Sequence, residues 1–201
     1  VLSTDTLIYG GLVDSRKHNI PLSTLQNRLK RIEGLKARNK NVRIYGFGTV
    51  MRSPRASGGG TEPAYYAEYG PTIFQIAALQ DKLDSGSLTQ EETQKLMSLQ
   101  ASVPVEYLQD WFDRRQKNMK INKELIDETR SGVFDYFALG HDDTSQLSQS
   151  ALEGRYLNKY SKDISVEKYG SFPGADQLGL LLMARSRTDV STEKPTFSVI
   201  Y

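Results

Sequence analysis

The sequence predicts an α/β protein built on a mostly parallel sheet, and three observations predict it. Apolar, strand-like runs alternate with stretches of helical periodicity from one end of the chain to the other. The runs are continuous rather than alternating, as in Asn41-Val-Arg-Ile-Tyr-Gly-Phe-Gly48 and Val133-Phe-Asp-Tyr-Phe-Ala-Leu139. Strands buried on both faces read in that way. The length, 201 residues, is enough for one sizeable domain. Four or five β/α units with both ends cut point to part of a (β/α)8-barrel-like domain, and an open sheet covered on both faces fits the same periodicity.

Val1-Leu2-Ser3 reads as a first strand, which the apolar residues up to Ile8 would extend, with Thr4-Asp5 and Tyr9 to Arg16 as loop or short helix. Pro21 and Ser23 open a helix, with Gln26 completing a capping-box pattern, and Leu25, Leu29, Ile32 and Leu35 form its apolar face. The strand Asn41–Gly48 follows. Ser53-Pro54, Gly58-Gly59-Gly60 and Glu62-Pro63 then mark an irregular loop at about residues 52–70, long enough to be a functional lid. A helical insertion at about 71–131 comes next. Ile73, Ile76, Leu79 and Leu83 mark its first helix, Thr89-Gln-Glu-Glu92 caps a second, and Pro104 begins a third that runs to about Arg130. Leu108, Trp111, Phe112, Met119, Leu125 and Ile126 are the inner face expected for that third helix. The strand Val133–Leu139, a helix at 151–160, a strand at 166–169, a Gly170–Gly174 turn, a helix at 175–187 and a strand at 196–201 complete a single α/β domain over residues 1–201.

Composition excludes several function classes. Twenty-six basic and 24 acidic residues leave a net charge of +2, with no basic block or stripe, so no nucleic-acid partner is expected. No apolar run approaches the length of a membrane span, so no membrane partner is expected either. With no cysteine, disulfides and thiolate metal sites are ruled out. The absence of cysteine does not assign a compartment; the cytoplasm is slightly favoured, with secretion of a longer parent left open. The chain opens on Val1 rather than Met, inside a strand-like run, and is read as a piece of a longer protein. The sequence does not indicate an oligomeric state.

The chemistry concentrates after Phe134-Asp-Tyr-Phe-Ala-Leu139. The run breaks at Gly140 and delivers His141, Asp142 and Asp143 side by side, followed by Thr144, Ser145 and Gln146. Adjacent carboxylates at the end of a core strand are costly unless they face a solvated pocket, bind something or accept backbone hydrogen bonds. If the strands are parallel, the residues following them converge on one rim. That rim gathers Asp5 and Arg16 from the first unit, Arg52 from the second, His141 to Ser145 from the third and Asp176 from the fourth. Neighbouring carboxylates can split roles, one ionised and one a general acid, and an arginine fork can fix a carboxylate, a sugar hydroxyl or a phosphate. A metal site is the sharper alternative. The chain holds only two histidines, without zinc-type spacing, so neither a metal nor another cofactor is expected. Gly58-Gly59-Gly60 is not a P-loop, and no Gly-x-Ser-x-Gly elbow occurs, so a serine hydrolase is not expected. Tyr65, Tyr66 and Tyr69 either stack on sugar rings or pin the loop to the core.

Four blocks come in order: Ser3-Thr-Asp-Thr-Leu-Ile-Tyr-Gly-Gly-Leu-Val-Asp-Ser-Arg16, Tyr45-Gly-Phe-Gly-Thr-Val-Met-Arg52, Gly140-His-Asp-Asp-Thr-Ser-Gln-Leu-Ser-Gln-Ser150 and Gly174-Ala-Asp-Gln-Leu-Gly-Leu-Leu-Leu-Met-Ala-Arg185. Together they resemble a bacterial family of proteins of unknown function, DUF4127, found in firmicutes and actinobacteria. The resemblance implies longer members with an additional amino-terminal block, and a site on Asp5, Arg16, Arg52, Asp142, Asp143, Ser145 and Asp176. It implies no reaction. The Asp142-Asp143 pair is also similar, by analogy, to that of substrate-assisted hexosaminidases of the barrel type. There one Asp orients the substrate acetamido group and the next protonates the leaving oxygen.

The expectation drawn from these readings is a carbohydrate-active hydrolase of the glycoside type. Asp143 is its general acid and Asp142 the orienting carboxylate. Asp5, Arg16, Arg52, His141, Ser145 and Asp176 bind a small-molecule ligand, a carbohydrate in this reading. The alternatives are a non-catalytic sugar- or peptide-binding protein, in which the carboxylates would be far apart or paired to arginine, and a metal-dependent hydrolase.

Overall fold

The computed structural model describes residues 1–56, 59–143 and 145–191. The strand expected at 196–201 lies outside them, as does Thr144. In chain order the elements are β1 (Leu2–Ser3), α1 (Thr4–Tyr9), a 3-10 turn (Asp14–Arg16), α2 (Leu22–Arg38), β2 (Tyr45–Val50), α3 (Tyr66–Asp84), α4 (Gln90–Ser102), α5 (Val105–Ser131), β3 (Tyr136–His141), α6 (Gln149–Tyr160), β4 (Tyr169–Pro173) and α7 (Leu178–Val190). The α/β alternation read from the sequence is present. All four strands are parallel and lie in sequence order, β1-β2-β3-β4. Among the described residues the sheet has two edges, β1 and β4, and does not close on itself.

Strand alternation sends side chains to two faces, and helices cover both. On one face Ile44, Val50, Phe137, Leu139 and Tyr169 pack against Leu25, Leu29 and Ile32 of α2, Ile121, Leu125 and Ile126 of α5 and Leu157 of α6. On the other, Tyr45, Tyr136 and Ala138 meet Leu178 and Leu182 of α7. Burying each such side chain contributes roughly 1.5–3 kcal/mol, so these faces fix which ends of the strands meet. Gly46 is needed on the first face because the Phe134 and Phe137 rings fill the space its Cβ would take. A third cluster joins α3, α4 and the start of α5 around Tyr66, Ile73, Ile76, Leu96 and Trp111.

Several boundaries differ from expectation, each for a local reason. The first strand stops at Ser3, because the Ser3 hydroxyl accepts the Thr6 N–H at 3.2 Å and starts α1 where extended chain was expected. Helix α2 begins after Pro21 with no side-chain cap, so the Ser23–Gln26 capping box does not form. The Thr89–Glu92 box does form. Tyr66 to Gly70 belong to helix α3, not to the irregular loop, and Pro71 lies inside that helix. Strand β4 covers Tyr169–Pro173, where a turn had been expected. Its Gly170 is extended, and the Tyr136 hydroxyl and Phe172 ring lie where a Cβ would go. Helix α7 consequently starts at Leu178 rather than 175.

Candidate functional site

Because the strands are parallel, their carboxyl ends share one rim, and the register brings Val50 opposite His141. Asp5 enters from the first turn of α1 and is only 4% exposed. Its Oδ2 accepts the Thr49 hydroxyl at 2.8 Å, while the Thr4 hydroxyl donates to the Phe47 carbonyl at 2.9 Å and ties α1 to β2. Burial pushes the Asp5 carboxyl up to about 7 against the opposing pull of Thr49 and the Arg16 charge, and the charge of Asp142 adds to the rise. At neutral pH such a carboxyl is partly protonated.

Asp142 follows the end of β3 and forms an ion pair with Arg16, whose side chain is buried. Arg16 Nε is buried with no hydrogen-bond partner among the described residues. Burial raises the Asp142 carboxyl above the usual carboxylate range; Arg16 and Arg52 hold it down, and the charge of Asp176 lifts it. Asp5, Arg16 and Asp142, from two different β/α units, therefore act on one another electrostatically, and Asp176 from a third acts on Asp142.

Asp143 is arranged differently. Its Oδ2 accepts the Ser53 N–H at 3.3 Å and its Oδ1 the Ser145 N–H at 2.9 Å. Both oxygens thus organise loop backbone. Arg52 faces the irregular loop, its Nε donating to Glu62 at 2.7 Å and its Nη2 to Thr61 at 2.7 Å. His141 Nε2 lies 2.6 Å from the Ser171 hydroxyl of β4, and the His141 carbonyl accepts the Gly174 N–H at 2.7 Å. Burial lowers the His141 imidazole below its ordinary range. A hollow of about 340 Å³ opens beside this pair, lined by His141, Asp143, Ser145, Gly154, Arg155 and Ser171 among others. The rim residues fall into two neighbouring groups, the Asp5–Arg16–Asp142 cluster and the His141–Asp143–Ser145 hollow, with Asp176 and Arg52 acting on Asp142 through charge.

The sequence reading missed what holds this rim in place. Helix α5 carries Arg114, Arg115, Asn118 and Asn122 buried beside its apolar residues. The Arg115 guanidinium meets Glu153 through two bonds of 2.8 Å and also donates to the Met51 carbonyl at 2.7 Å and the Arg52 carbonyl at 3.0 Å. Asn122 donates to the Thr49 carbonyl at 3.2 Å, Asn118 to the Ser15 carbonyl at 2.8 Å, and Arg114 to the His18 carbonyl at 2.8 Å. The Ser150 hydroxyl reaches the Met51 carbonyl at 2.7 Å. Irregular backbone at a rim exposes carbonyls that need donors, and these side chains supply them. One signal was present: polar residues four apart along a helix that also buries Ile121 and Leu125 form a stripe. The tyrosines at the start of α3 tie the preceding loop to the core. Tyr66 is buried and donates to the Pro54 carbonyl at 2.8 Å, and Tyr65 stacks on Tyr107 with ring centroids 4.7 Å apart.

Among the described residues no group of three or more His, Asp or Glu side chains is placed to hold a metal ion. Among the described residues, too, no helix is long and apolar enough to cross a membrane. A sequence model of the family described as protein of unknown function (DUF4127) matches residues 1–201. No curated protein and no solved structure matches the chain.

Proposed function

The chain belongs to the DUF4127 family, whose description names no reaction, and from the rim geometry we propose a hydrolase of the glycoside type whose working carboxylates are Asp142 and Asp5. The observation that carries the proposal is Asp5, a buried carboxyl pushed up to about 7 beside Asp142 and the Arg16 guanidinium. A buried carboxyl raised in this way is partly protonated near neutrality, and the charges of Arg16 and Asp142 act on it in opposite directions. Perturbed carboxyls at the carboxyl ends of parallel strands are what acid–base sites use.

The division of labour follows exposure. Asp142 is the partly exposed member, its side chain 21% accessible, so it meets the substrate and gives its proton to the leaving oxygen. Water bonds to the anomeric carbon and releases its own proton to solvent, from which Asp142 is reprotonated. Asp5 lies behind it as a positioning group that keeps the proton available. Arg16 fixes the orientation of Asp142, and Asp176 raises its affinity for the proton. Asp143, with both oxygens taken by backbone N–H groups, holds the loop that presents Asp142. This assigns the acid role to Asp142 rather than Asp143.

The test is hydrolysis of a panel of aryl glycosides, N-acetylhexosaminides included, by the wild type, Asp142→Asn and Asp143→Asn. Loss of a general acid lowers turnover roughly 10²–10⁴-fold, and that loss is expected for Asp142→Asn, with Asp143→Asn nearer the wild type. Turnover of no glycoside sinks the proposal. The Arg16–Asp142 ion pair itself favours a second reading, a non-catalytic sugar- or peptide-binding rim in which the pair is a fixed recognition edge. Sugar or peptide binding in calorimetry, without turnover, is its signature.

A further inference from the structure

We propose that Ser171 and His141 form a second reactive centre, a serine nucleophile with its base, that cleaves esters of short acyl groups. The proposal does not use Asp5 or Asp142 and stands apart from the glycosidase reading.

The pair is built by the sheet. Leu139 pairs with Ser171 in the β3–β4 register, and alternation places Phe137, Leu139 and His141 on the face that also receives Tyr169 and Ser171. Helix α6 covers this face and presents Gly154 to the imidazole. A Cβ on Gly154 would stand 2.6 Å from His141 Cε1, so the ring fills the space that the missing side chain leaves. The backbone of His141 is held from both sides, by its pairing with Val50 on β2 and by the Gly174 N–H on its carbonyl. Packed against Gly154, the ring aims Nε2 at the Ser171 hydroxyl, 2.6 Å away. A nucleophile needs such a base within hydrogen-bond reach.

A serine–histidine bond can also serve only to satisfy two buried polar groups, but these two are partly exposed and line an open hollow. Its volume of about 340 Å³ is at the small end for ligand sites, which commonly run roughly 300–1,000 Å³. Ala151, Phe172 and Pro173 give it an apolar wall, enough for an acetyl-sized chain, with Asn158 and Arg155 at the polar side. Burial lowers the imidazole below its ordinary range, which favours the neutral ring, and in the tautomer with its proton on Nδ1 the lone pair of Nε2 faces the Ser171 hydroxyl.

In the reaction Ser171 Oγ attacks the ester carbonyl carbon while its proton passes to His141 Nε2. The bond from that carbon to the alcohol oxygen breaks, and the departing alkoxide takes the proton from His141. Water, deprotonated by the same nitrogen, then attacks the acyl-serine, releasing the short carboxylic acid and restoring the hydroxyl.

A small alkyl fluorophosphonate tests this, because a serine activated by a base displaces its fluoride and keeps the phosphonyl group. The full chain, Ser171→Ala and His141→Gln are treated in parallel, with intact mass and peptide mapping as the readout and circular dichroism to confirm folding. The expected result is one adduct on the wild type, mapped to Ser171. None is expected on Ser171→Ala, and labelling of folded His141→Gln should be at least about 100-fold slower, as for loss of a general base. No adduct on the wild type, an adduct on another serine, or wild-type labelling rates in His141→Gln overturn the proposal. Should either variant misfold, the site of the wild-type adduct decides alone.

Discussion

Gly154 and His141 share one space: the imidazole of β3 occupies the position where a side chain on α6 would stand, 2.6 Å from a Cβ built there. This contact sets how closely α6 approaches the sheet at the rim and in which direction the His141 ring points.

Gly154→Ala separates the fold from the ring. Alanine in a helix interior gains roughly 0.5–1 kcal/mol over glycine, and overpacking costs roughly 1–3 kcal/mol. The colliding atom is the far edge of a ring tied only to Ser171, which can swing outwards. Thermal stability is therefore expected to change little, while the imidazole leaves its buried seat. Titrated by NMR, His141 should move up towards the ordinary histidine value near 6.5. An unchanged midpoint in the alanine variant would show that the seat is not as tight as the structure has it.

Removing Asp142 leaves Arg16 as an unpaired cation with a side chain 5% exposed. Breaking a buried pair costs roughly 3–5 kcal/mol, and the partial exposure of Asp142 to water brings the expectation for Asp142→Ala down to about 1–3 kcal/mol. The double variant Arg16→Met with Asp142→Ala removes both charges and should recover at least half of that loss in urea denaturation. A double variant less stable than Asp142→Ala would mean that the arginine is worth more by its packing than by its charge.

The alternating α/β plan and its parallel sheet were legible because they rest on apolar periodicity, a property of neighbouring residues. Asp5, Arg16, Asp142 and Asp176 could be placed on one rim for the same reason, since each follows a strand. What escaped was set by distant partners. Gly170 and Pro173 look like turn residues, yet they lie in strand β4, which pairs with β3 from Tyr169 to Phe172, and at Gly170 the Tyr136 hydroxyl takes the space a Cβ would need. Arg115 looks like a solvated charge on an amphipathic helix, and only the folded rim supplies the Glu153 carboxylate and the Met51 and Arg52 carbonyls that make its burial affordable. Ser171 carries no motif. It gains meaning only through the register that sets it beside His141.

Arg115→Lys tests that support. A lysine ammonium lacks the planar fork and cannot reach two carboxylate oxygens and two carbonyls together. The guanidinium also lies over the Trp111 ring at 4.6 Å, a contact the ammonium would weaken. The expected loss is about 2–4 kcal/mol in chemical denaturation, because part of a buried network goes unsatisfied. Hydrogen exchange at the Ser53 amide, bonded to Asp143 across the same turn, should accelerate. Unchanged exchange there would mean that the loop holds itself without α5.

Asp5 makes stability fall as pH rises, the reverse of an ordinary ion-paired carboxylate. Its folded value of about 7 lies above the ordinary aspartate value of 3.8. Between those two the native state binds the proton that the unfolded chain has released, so the contribution is complete below about 4 and is lost as pH climbs through about 7. At about 1.36 kcal/mol per decade the full effect is on the order of a few kcal/mol, all of it charged to the ionised carboxylate buried under Thr49. The raised carboxyls of Glu128 and Asp142 slope the same way. The wild type alone therefore does not isolate Asp5, and the comparison has to be with Asp5→Asn, which keeps an acceptor for the Thr49 hydroxyl and cannot ionise. Unfolding free energies measured from pH 4 to pH 8 should fall more steeply for the wild type, with the two curves diverging mainly between pH 4 and 7. Parallel curves would mean that Asp5 titrates as an ordinary carboxylate, and the acid–base reading that rests on its raised carboxyl would go with it.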